Sequence, residues 1–218
     1  MPKTMLITLP DFDITTSYVS VWSEDIIRIA EKNGIDVVPV RGDRVTKSHI
    51  TSDIESKNPS FMAFNGHGSE VCIAGQNNEP LITLGENDRL LDSRIVHALT
   101  CSSAYKLGKK CKAKAFIGYD GIFWLYMDGN RVSRPLSDMK VKPILESALE
   151  APRQIAKGES AGNAFAKSQE TYKKFIDHMT LSSSEHTAEE LQVILPFLHS
   201  NKGCQRIFGD REARIQGQ

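Results

Sequence analysis

The stretch Phe61-Met62-Ala63-Phe64-Asn65-Gly66-His67-Gly68 is a short apolar run that ends on a histidine between two glycines. Further along the chain, Ile95-Val96-His97-Ala98-Leu99-Thr100-Cys101-Ser102-Ser103 is a second apolar run that ends on a cysteine. Each run has the composition of a buried strand, and open α/β sheets carry their reactive groups just beyond the carboxyl ends of strands. We therefore expect His67 and Cys101 to meet at one sheet edge, as a thiol nucleophile and its proton-transfer partner.

Strands alternate with helices along the rest of the chain. The patterns predict strands at residues 4–9, 35–40, 60–65, 95–99 and 113–119, and a hairpin at 70–84. They predict helices at residues 17–32, 48–56, 86–91, 142–157, 161–179 and 185–200, with a frayed polar end at 209–218. This alternation indicates an α/β protein, a three-layer α/β/α sandwich with a mostly parallel sheet. We expect a single domain over residues 1–218, with a core at about 4–175 and a C-terminal helical extension at about 176–210.

Composition excludes several classes of function. The chain has 218 residues, and its hydrophobic content of 40% is enough to bury one sizeable core. Lysine and arginine total 27, as do aspartate and glutamate, so no overall field attracts nucleic acid or an anionic membrane. The apolar run near the N-terminus is too short for a secretion signal, and no segment approaches the length of a membrane span. We expect a cytoplasmic protein.

The cysteines and histidines do not predict a disulfide framework or a metal site. The four cysteines are Cys72, Cys101, Cys111 and Cys204, and none lies in a CxxC pair. The six histidines are scattered, so a structural zinc site is not expected. We also expect no cofactor, although the sequence leaves a calcium requirement open.

Cys101 has surroundings that favour a reactive thiolate. A free thiol is mostly protonated at neutral pH and needs activation before it attacks a carbonyl. Cys101 is predicted to open the next helix, where unpaired N–H groups favour an anion. His67 can take the thiol proton and return it to a leaving amine. The amides of Gly68 and Cys101 could then stabilise the oxyanion of a tetrahedral intermediate.

Strand-His-Gly, then a hairpin, then strand-x-x-Cys-Ser, resembles the caspase-like (clan CD) cysteine peptidases, over about residues 4–174. The resemblance implies an endopeptidase with His67 as general acid/base, Cys101 as nucleophile, and the Gly68 and Cys101 amides as oxyanion hole. The chain departs from true caspases because Thr100 and Ser102 do not reproduce their pentapeptide and the His-to-Cys interval is shorter than roughly 50 residues. The CHAT, separase and gingipain side of the clan is the better match.

On that side of the clan, an apolar strand that ends in Gly is followed by acidic or aromatic residues. Ala115-Phe116-Ile117-Gly118-Tyr119-Asp120-Gly121 resembles this feature. By this analogy Asp120 binds the substrate residue before the scissile bond and selects Lys or Arg by charge pairing. A plain Asp-Gly turn explains Asp120 equally well, and Asp128 is a second acidic candidate.

Three further side chains have ordinary explanations beside functional ones. His97 is more typical of a core or edge histidine than of a catalytic one. Cys111 lies in a lysine-rich run that could lower its pKa, although such runs are usually solvated. Trp124 could border a substrate groove or simply pack in the core.

Two rival functions remain open from the sequence. The first is a catalytically inactive caspase-like scaffold that binds a partner through its C-terminal helices. The second is a flavodoxin-like protein that binds a small ligand, with His67 and Cys101 on one edge by coincidence. For the peptidase, the expected partner is a protein or peptide substrate, and a regulatory protein partner is compatible with it.

Overall fold

A six-stranded sheet forms the centre of the molecule, in a computed structural model that describes residues 3–182 and 186–216. The strand order is β2-β1-β3-β7-β8-β9, in which the first five strands are parallel and β9 is antiparallel to β8. The strands are β1 Lys3–Leu9, β2 Ile35–Arg41, β3 Phe61–Asn65, β7 Ile95–Leu99, β8 Ala115–Tyr119 and β9 Gln205–Gly209.

Three of the four interior strands, β3, β7 and β8, are short and almost entirely apolar because helices cover both faces of the sheet. Every residue of β3, β7 and β8 is buried. A parallel strand buried on both sides is a continuous apolar run rather than an alternating one. The expected mostly parallel sheet, covered on both faces, is confirmed.

Helices on the two faces enclose two separate apolar clusters. The larger cluster packs α1 (Ile14–Lys32), α3 (Lys142–Ala156) and α4 (Ala161–Leu181) against one face. The smaller cluster packs α2 (Lys47–Lys57) against the other face. Among the described residues, no helix combines the length and hydrophobicity that a bilayer-spanning segment needs.

A second, small sheet stands beside the carboxyl end of β3. It consists of the antiparallel strands β4 His67–Ser69, β5 Cys72–Ala74 and β6 Pro80–Thr83. The predicted hairpin at 70–84 is thus present, but pairing begins earlier, at His67 itself. The histidine therefore belongs to a strand of its own and not to a free loop.

The C-terminal region differs from the expectation. A π-helix (Glu190–Ile194) runs into α5 (Leu195–Cys204), and β9 follows directly and joins the edge of the main sheet. The predicted helix at 185–200 is confirmed in part. Its predicted first residue, 185, lies outside the described ranges, together with residues 183 and 184. No strand was predicted at β9, because a five-residue strand inside a polar tail gives little periodic signal. The division into a core and a helical extension stays a prediction, although β9 lies within the main sheet.

Candidate functional site

The register of β3 against β7 brings the two reactive strand ends to the same level. The pairs run from Phe61 opposite Ile95 to Asn65 opposite Leu99, so both chains leave the sheet side by side. Beyond the strands the two segments touch, because a Cβ placed on Gly68 would lie 2.8 Å from the carbonyl oxygen of Cys101. The residue next to His67 therefore packs directly on the backbone of Cys101.

Gly66 makes the turn from β3 into β4. Its φ is +154°, and a Cβ there would lie 2.1 Å from the carbonyl oxygen of Ala74. No side chain fits at that distance, so only glycine allows the chain to bend here. Gly66 and Gly68 together set the path of the backbone on either side of His67.

A buried amide ties the end of β3 to its neighbours. The Asn65 side chain donates to the Thr8 carbonyl at 2.9 Å and to Ser23 Oγ at 3.1 Å, while its backbone N–H donates to Thr8 Oγ1 at 2.8 Å. Thr8 is in β1 and Ser23 is in α1, the two elements that flank residues 10–13. This network holds the strand that carries His67 against the elements on either side of Asp13.

The His67 imidazole has a carboxylate partner. Its Nε2 lies 2.6 Å from Asp13 Oδ2, and its side chain is 38% exposed. The ring of Phe12 meets the imidazole edge-on, with a centroid distance of 5.8 Å. Because Nε2 is committed to Asp13, Nδ1 is the ring nitrogen left to exchange a proton.

Asp13 serves the histidine and a helix at once. Its Oδ1 accepts the Thr16 N–H at 2.7 Å, and Thr16 Oγ1 accepts the Asp13 N–H, which forms a capping box at the start of α1. Burial raises the pKa of Asp13, but hydrogen bonds from His67 and Thr16 outweigh this effect and lower the pKa below its ordinary value. The carboxylate is therefore ionised at neutral pH and can orient the imidazole.

Cys101 lies in the bend that follows β7. Its Sγ accepts a hydrogen bond from the Phe123 N–H at 3.4 Å, and the side chain is partly exposed. The next residue, Ser102, has a left-handed φ of 57° and donates its N–H to the Gly121 carbonyl at 2.8 Å. The thiol is thus held against the segment that follows β8.

The expectation that Cys101 opens a helix is wrong. The following helix is a five-residue π-helix (Ala104–Gly108), and it begins three residues after Cys101. Its early amides are already used: the Tyr105 N–H donates to Ser102 O, and the Lys106 and Leu107 N–H groups donate to Glu70 O. The strained turn at Ser102 separates the thiol from the helix, so activation by a helix N-terminus is not available.

The predicted oxyanion-hole residues are adjacent. Gly68 packs on the Cys101 carbonyl, and the Cys101 N–H makes no hydrogen bond within residues 3–182 and 186–216. This amide is therefore a free donor beside the thiol.

Asp120 lies near the site but is already paired. Its backbone N–H donates to Cys204 O at 2.9 Å, and its Oδ2 lies 2.8 Å from Arg206 Nε. Asp120 also leads into the segment whose Phe123 amide contacts the thiol. The second candidate, Asp128, caps a short turn, where its Oδ1 accepts the Asn130 N–H at 2.9 Å.

The remaining sequence candidates make ordinary structural contacts, although Trp124 directly follows Phe123, whose N–H contacts the thiol. His97 is fully buried, and neither ring nitrogen makes a hydrogen bond of normal geometry within the described part of the chain. Burial raises the pKa of Cys111, which is opposite to the lowering that its lysine-rich neighbours suggested. Trp124 stacks on Phe197 with a centroid distance of 5.4 Å, and its backbone N–H donates to Asn201. Within residues 3–182 and 186–216, no three His, Cys, Asp or Glu side chains converge to hold a metal ion.

Comparison with solved structures relates this architecture to that of a cysteine proteinase. No family model matches the chain, and no curated protein does. The crystal structure of the Arg specific cysteine proteinase gingipain R matches 98% of the chain with a TM-score of 0.59 and 11% identity. The chain has the caspase-like fold. It covers 47% of the gingipain R chain, about half the length of that protein.

Within the caspase-like fold, the sequence patterns missed Asp13. The patterns place it between the strand at 4–9 and the helix at 17–32, whereas α1 begins at Ile14. The available signal was Asp13 three residues before Thr16, which is a helix-capping pattern. That pattern predicts the cap but not the contact with His67, because their proximity depends on the sheet topology.

Proposed function

We propose that this protein is a cysteine endopeptidase in which Cys101 is the nucleophile, His67 the general acid/base and Asp13 the residue that orients His67. One observation carries the proposal. The His67 imidazole lies 2.6 Å from the Asp13 carboxylate, and the next residue, Gly68, packs on the backbone of Cys101. A nucleophile, a base and a group that orients the base are the three parts of such a site. The fold shared with a cysteine proteinase agrees with this assignment.

The proposed reaction passes through an acyl-enzyme. His67 Nδ1 takes the proton of the Cys101 thiol, and the thiolate attacks the carbonyl carbon of the scissile peptide bond. The amides of Cys101 and Gly68 bind the resulting oxyanion. The imidazolium, held by the ionised Asp13, gives its proton to the leaving amine, and the C–N bond breaks. His67 then takes a proton from water, and the hydroxide attacks the thioester carbonyl. The C–S bond breaks, the acid product leaves, and His67 returns the proton to the Cys101 sulfur.

The proposed substrate is a protein or peptide cut after a basic residue. Two observations support this preference: Asp120 begins the segment that passes the thiol, and gingipain R is itself an Arg specific proteinase. In the described structure the Arg206 guanidinium pairs with Asp120. A substrate Lys or Arg would have to replace Arg206 at this carboxylate.

The test is turnover of fluorogenic peptides that carry Arg, Lys or Asp before the scissile bond. We expect the natural chain to cleave the Arg and Lys peptides and Cys101→Ala to cleave none of them. Circular dichroism should show that Cys101→Ala keeps the fold. Cys111→Ala is the matched control, since its thiol is also partly buried but lies after the π-helix, against the Gly108 carbonyl, and we expect it to keep full activity. Equal cleavage by Cys101→Ala would contradict the proposal. A folded natural chain that cleaves none of the peptides would favour the inactive scaffold.

A further inference from the structure

The segment at residues 121–125 belongs to no helix or strand, yet it is held from two sides. On one side is the turn that carries the proposed nucleophile. There Ser102 donates its N–H to the Gly121 carbonyl, and Phe123 donates its N–H to Cys101 Sγ at 3.4 Å. On the other side is α5. The position of this segment therefore affects how the thiol is held.

Asn201 of α5 binds the backbone of the segment with its side-chain amide. Its Oδ1 accepts the Trp124 N–H at 2.8 Å, and its Nδ2 donates to the Trp124 carbonyl at 2.7 Å. The Asn201 side chain is fully buried, and within residues 3–182 and 186–216 it makes no other hydrogen bond. Both polar atoms of a buried amide are thus used to hold one residue of the segment.

Asn201 lies at the centre of the face of α5 that contacts this segment. Phe197 stacks on Trp124, and Cys204 Sγ lies 3.8 Å from the Ile122 carbonyl oxygen. Residues 197, 201 and 204 share one helix face because their spacing is four and then three. Stacking and thiol contacts are weakly directional, whereas hydrogen bonds weaken steeply at poor angles. The two bonds from Asn201 therefore fix the register of the segment against α5.

Consecutive amides of the segment bind different partners. The Phe123 N–H donates to the thiol of Cys101, and the next N–H, that of Trp124, donates to Asn201. In the described part of the chain, the amides on either side of this pair, those of residues 122 and 125, make no hydrogen bond. Asn201 is thus one peptide unit away from the donor that meets the sulfur.

We propose that Asn201 is a positioning residue of the candidate active site. By holding Trp124 it keeps the adjoining Phe123 N–H directed at the Cys101 sulfur, and the sulfur keeps one orientation. The inference rests on the proposed function, because it gives Asn201 a part in the reaction of Cys101.

The candidate specificity residue is anchored separately from this contact. The Asp120 N–H donates to the Cys204 carbonyl, and the Asp120 carboxylate pairs with Arg206. Neither bond involves Asn201. Loss of the Asn201 amide should therefore slow the chemical step more than it weakens substrate binding, since a small misplacement of a reacting atom costs much of the rate.

Steady-state kinetics on two variants tests this split. Asn201→Leu keeps the branched shape of the side chain but removes both hydrogen bonds to Trp124. It should lower kcat for an Arg peptide at least about tenfold and change KM by less than about twofold. Gln169→Leu removes the amide that α4 extends to the Lys202 carbonyl of the same helix, and it should leave both constants unchanged. Unchanged kcat in a folded Asn201→Leu, or an equal loss in Gln169→Leu, would overturn the proposal.

Hydrogen exchange tests the same contact without a substrate. In NMR spectra of the natural chain, the Phe123 and Trp124 amides should exchange slowly and those of residues 122 and 125 quickly. In Asn201→Leu, the Phe123 and Trp124 amides should exchange at least about tenfold faster, whereas Gln169→Leu should leave them unchanged. Unchanged exchange at Phe123 in Asn201→Leu would overturn the proposal.

The two measurements separate failure of this inference from failure of the peptidase assignment. If the natural chain cleaves no peptide but shows the expected exchange pattern, the peptidase assignment fails and the placement of Phe123 by Asn201 is supported. If the natural chain cleaves peptides but its Trp124 amide exchanges quickly, the role of Asn201 is wrong and the peptidase assignment is unaffected. The second result needs no variant, so it also decides the matter if Asn201→Leu does not fold.

Discussion

His67 and Asp13 are 54 residues apart in the sequence, and 2.6 Å separates His67 Nε2 from Asp13 Oδ2. The same carboxylate caps α1 through its other oxygen, so the helix fixes its position. The imidazole can then turn only within the limits that this contact sets. The pair gives the candidate site a defined geometry before any substrate binds.

Asp13→Asn is expected to lower kcat/KM at least about tenfold, because an amide does not stabilise the imidazolium and can hold the wrong tautomer. Asparagine caps helices as well as aspartate does, so the free energy of unfolding should change by less than about 0.5 kcal/mol. Steady-state kinetics and urea unfolding measure the two effects. Asp177→Asn, which changes an exposed carboxylate of α4 that pairs with Lys173, is the control and should leave activity intact. Full activity in Asp13→Asn would remove Asp13 from the mechanism.

Gly68→Ala is expected to abolish most activity. The new Cβ would lie 2.8 Å from the Cys101 carbonyl and 3.1 Å from that of Cys72, and neither backbone group can yield easily. The β4 segment must shift away from Cys101, at a cost of about 1–3 kcal/mol in the free energy of unfolding. Gly129→Ala, where the added methyl group meets no atom within 4 Å, should have little effect on either quantity. An active Gly68→Ala protein would show that the close packing of Gly68 on Cys101 is not needed for catalysis.

Arg206→Gln is expected to lower KM for Arg and Lys peptides and to leave kcat nearly unchanged, because it frees the Asp120 carboxylate for the substrate. The loss of a partly exposed ion pair should cost no more than about 1 kcal/mol of stability. Arg206→Lys keeps a cation beside Asp120 and is the matched control. Should KM stay the same in both variants, Asp120 would not be the specificity residue.

Protonation of His97 is expected to destabilise the fold in acid. Burial lowers the pKa of His97 to about 3 from an ordinary value of 6.5, and the nearby backbone of Ala148 only partly opposes this shift. Below about pH 6.5 the unfolded chain binds a proton that the folded chain does not, so stability falls as the pH decreases towards 3. The loss due to His97 should be about 2 kcal/mol at pH 5 relative to pH 8.

Urea unfolding between pH 8 and pH 5 checks this prediction. Between pH 8 and pH 5, the free energy of unfolding of His97→Leu should decrease by about 2 kcal/mol less than that of the natural chain. His199→Gln, which changes an exposed histidine of α5, should keep the steep dependence of the natural chain. Parallel curves for the natural chain and His97→Leu would contradict the assignment.

The sequence was sufficient to predict the five parallel strands of the main sheet and the strand ends that carry His67 and Cys101. Both predictions depend on apolar runs buried on two faces, for which the signal is local and strong. The parallel register then follows, since Asn65 pairs opposite Leu99 and both strands end together.

What the sequence could not predict depends on contacts between distant segments. Asp13 meets His67 only because β1 and β3 are neighbours in the sheet, and Arg206 meets Asp120 only because β9 pairs with β8. The helix expected at Cys101 failed for a local reason, because Ser102 takes a left-handed conformation that propensities do not reveal. The chain after Cys101 therefore makes a turn before its next helix begins at Ala104.

Alkylation by an arginine chloromethyl ketone identifies the nucleophile directly. We predict that mass spectrometry finds the label on Cys101 Sγ, and that labelling is at least about tenfold slower in His67→Ala because the thiol loses its base. Cys204 should stay unlabelled, since burial and the nearby Asp120 raise its pKa to about 11. Labelling of Cys72, Cys111 or Cys204 in place of Cys101, or a rate at Cys101 that does not depend on His67, would contradict the account.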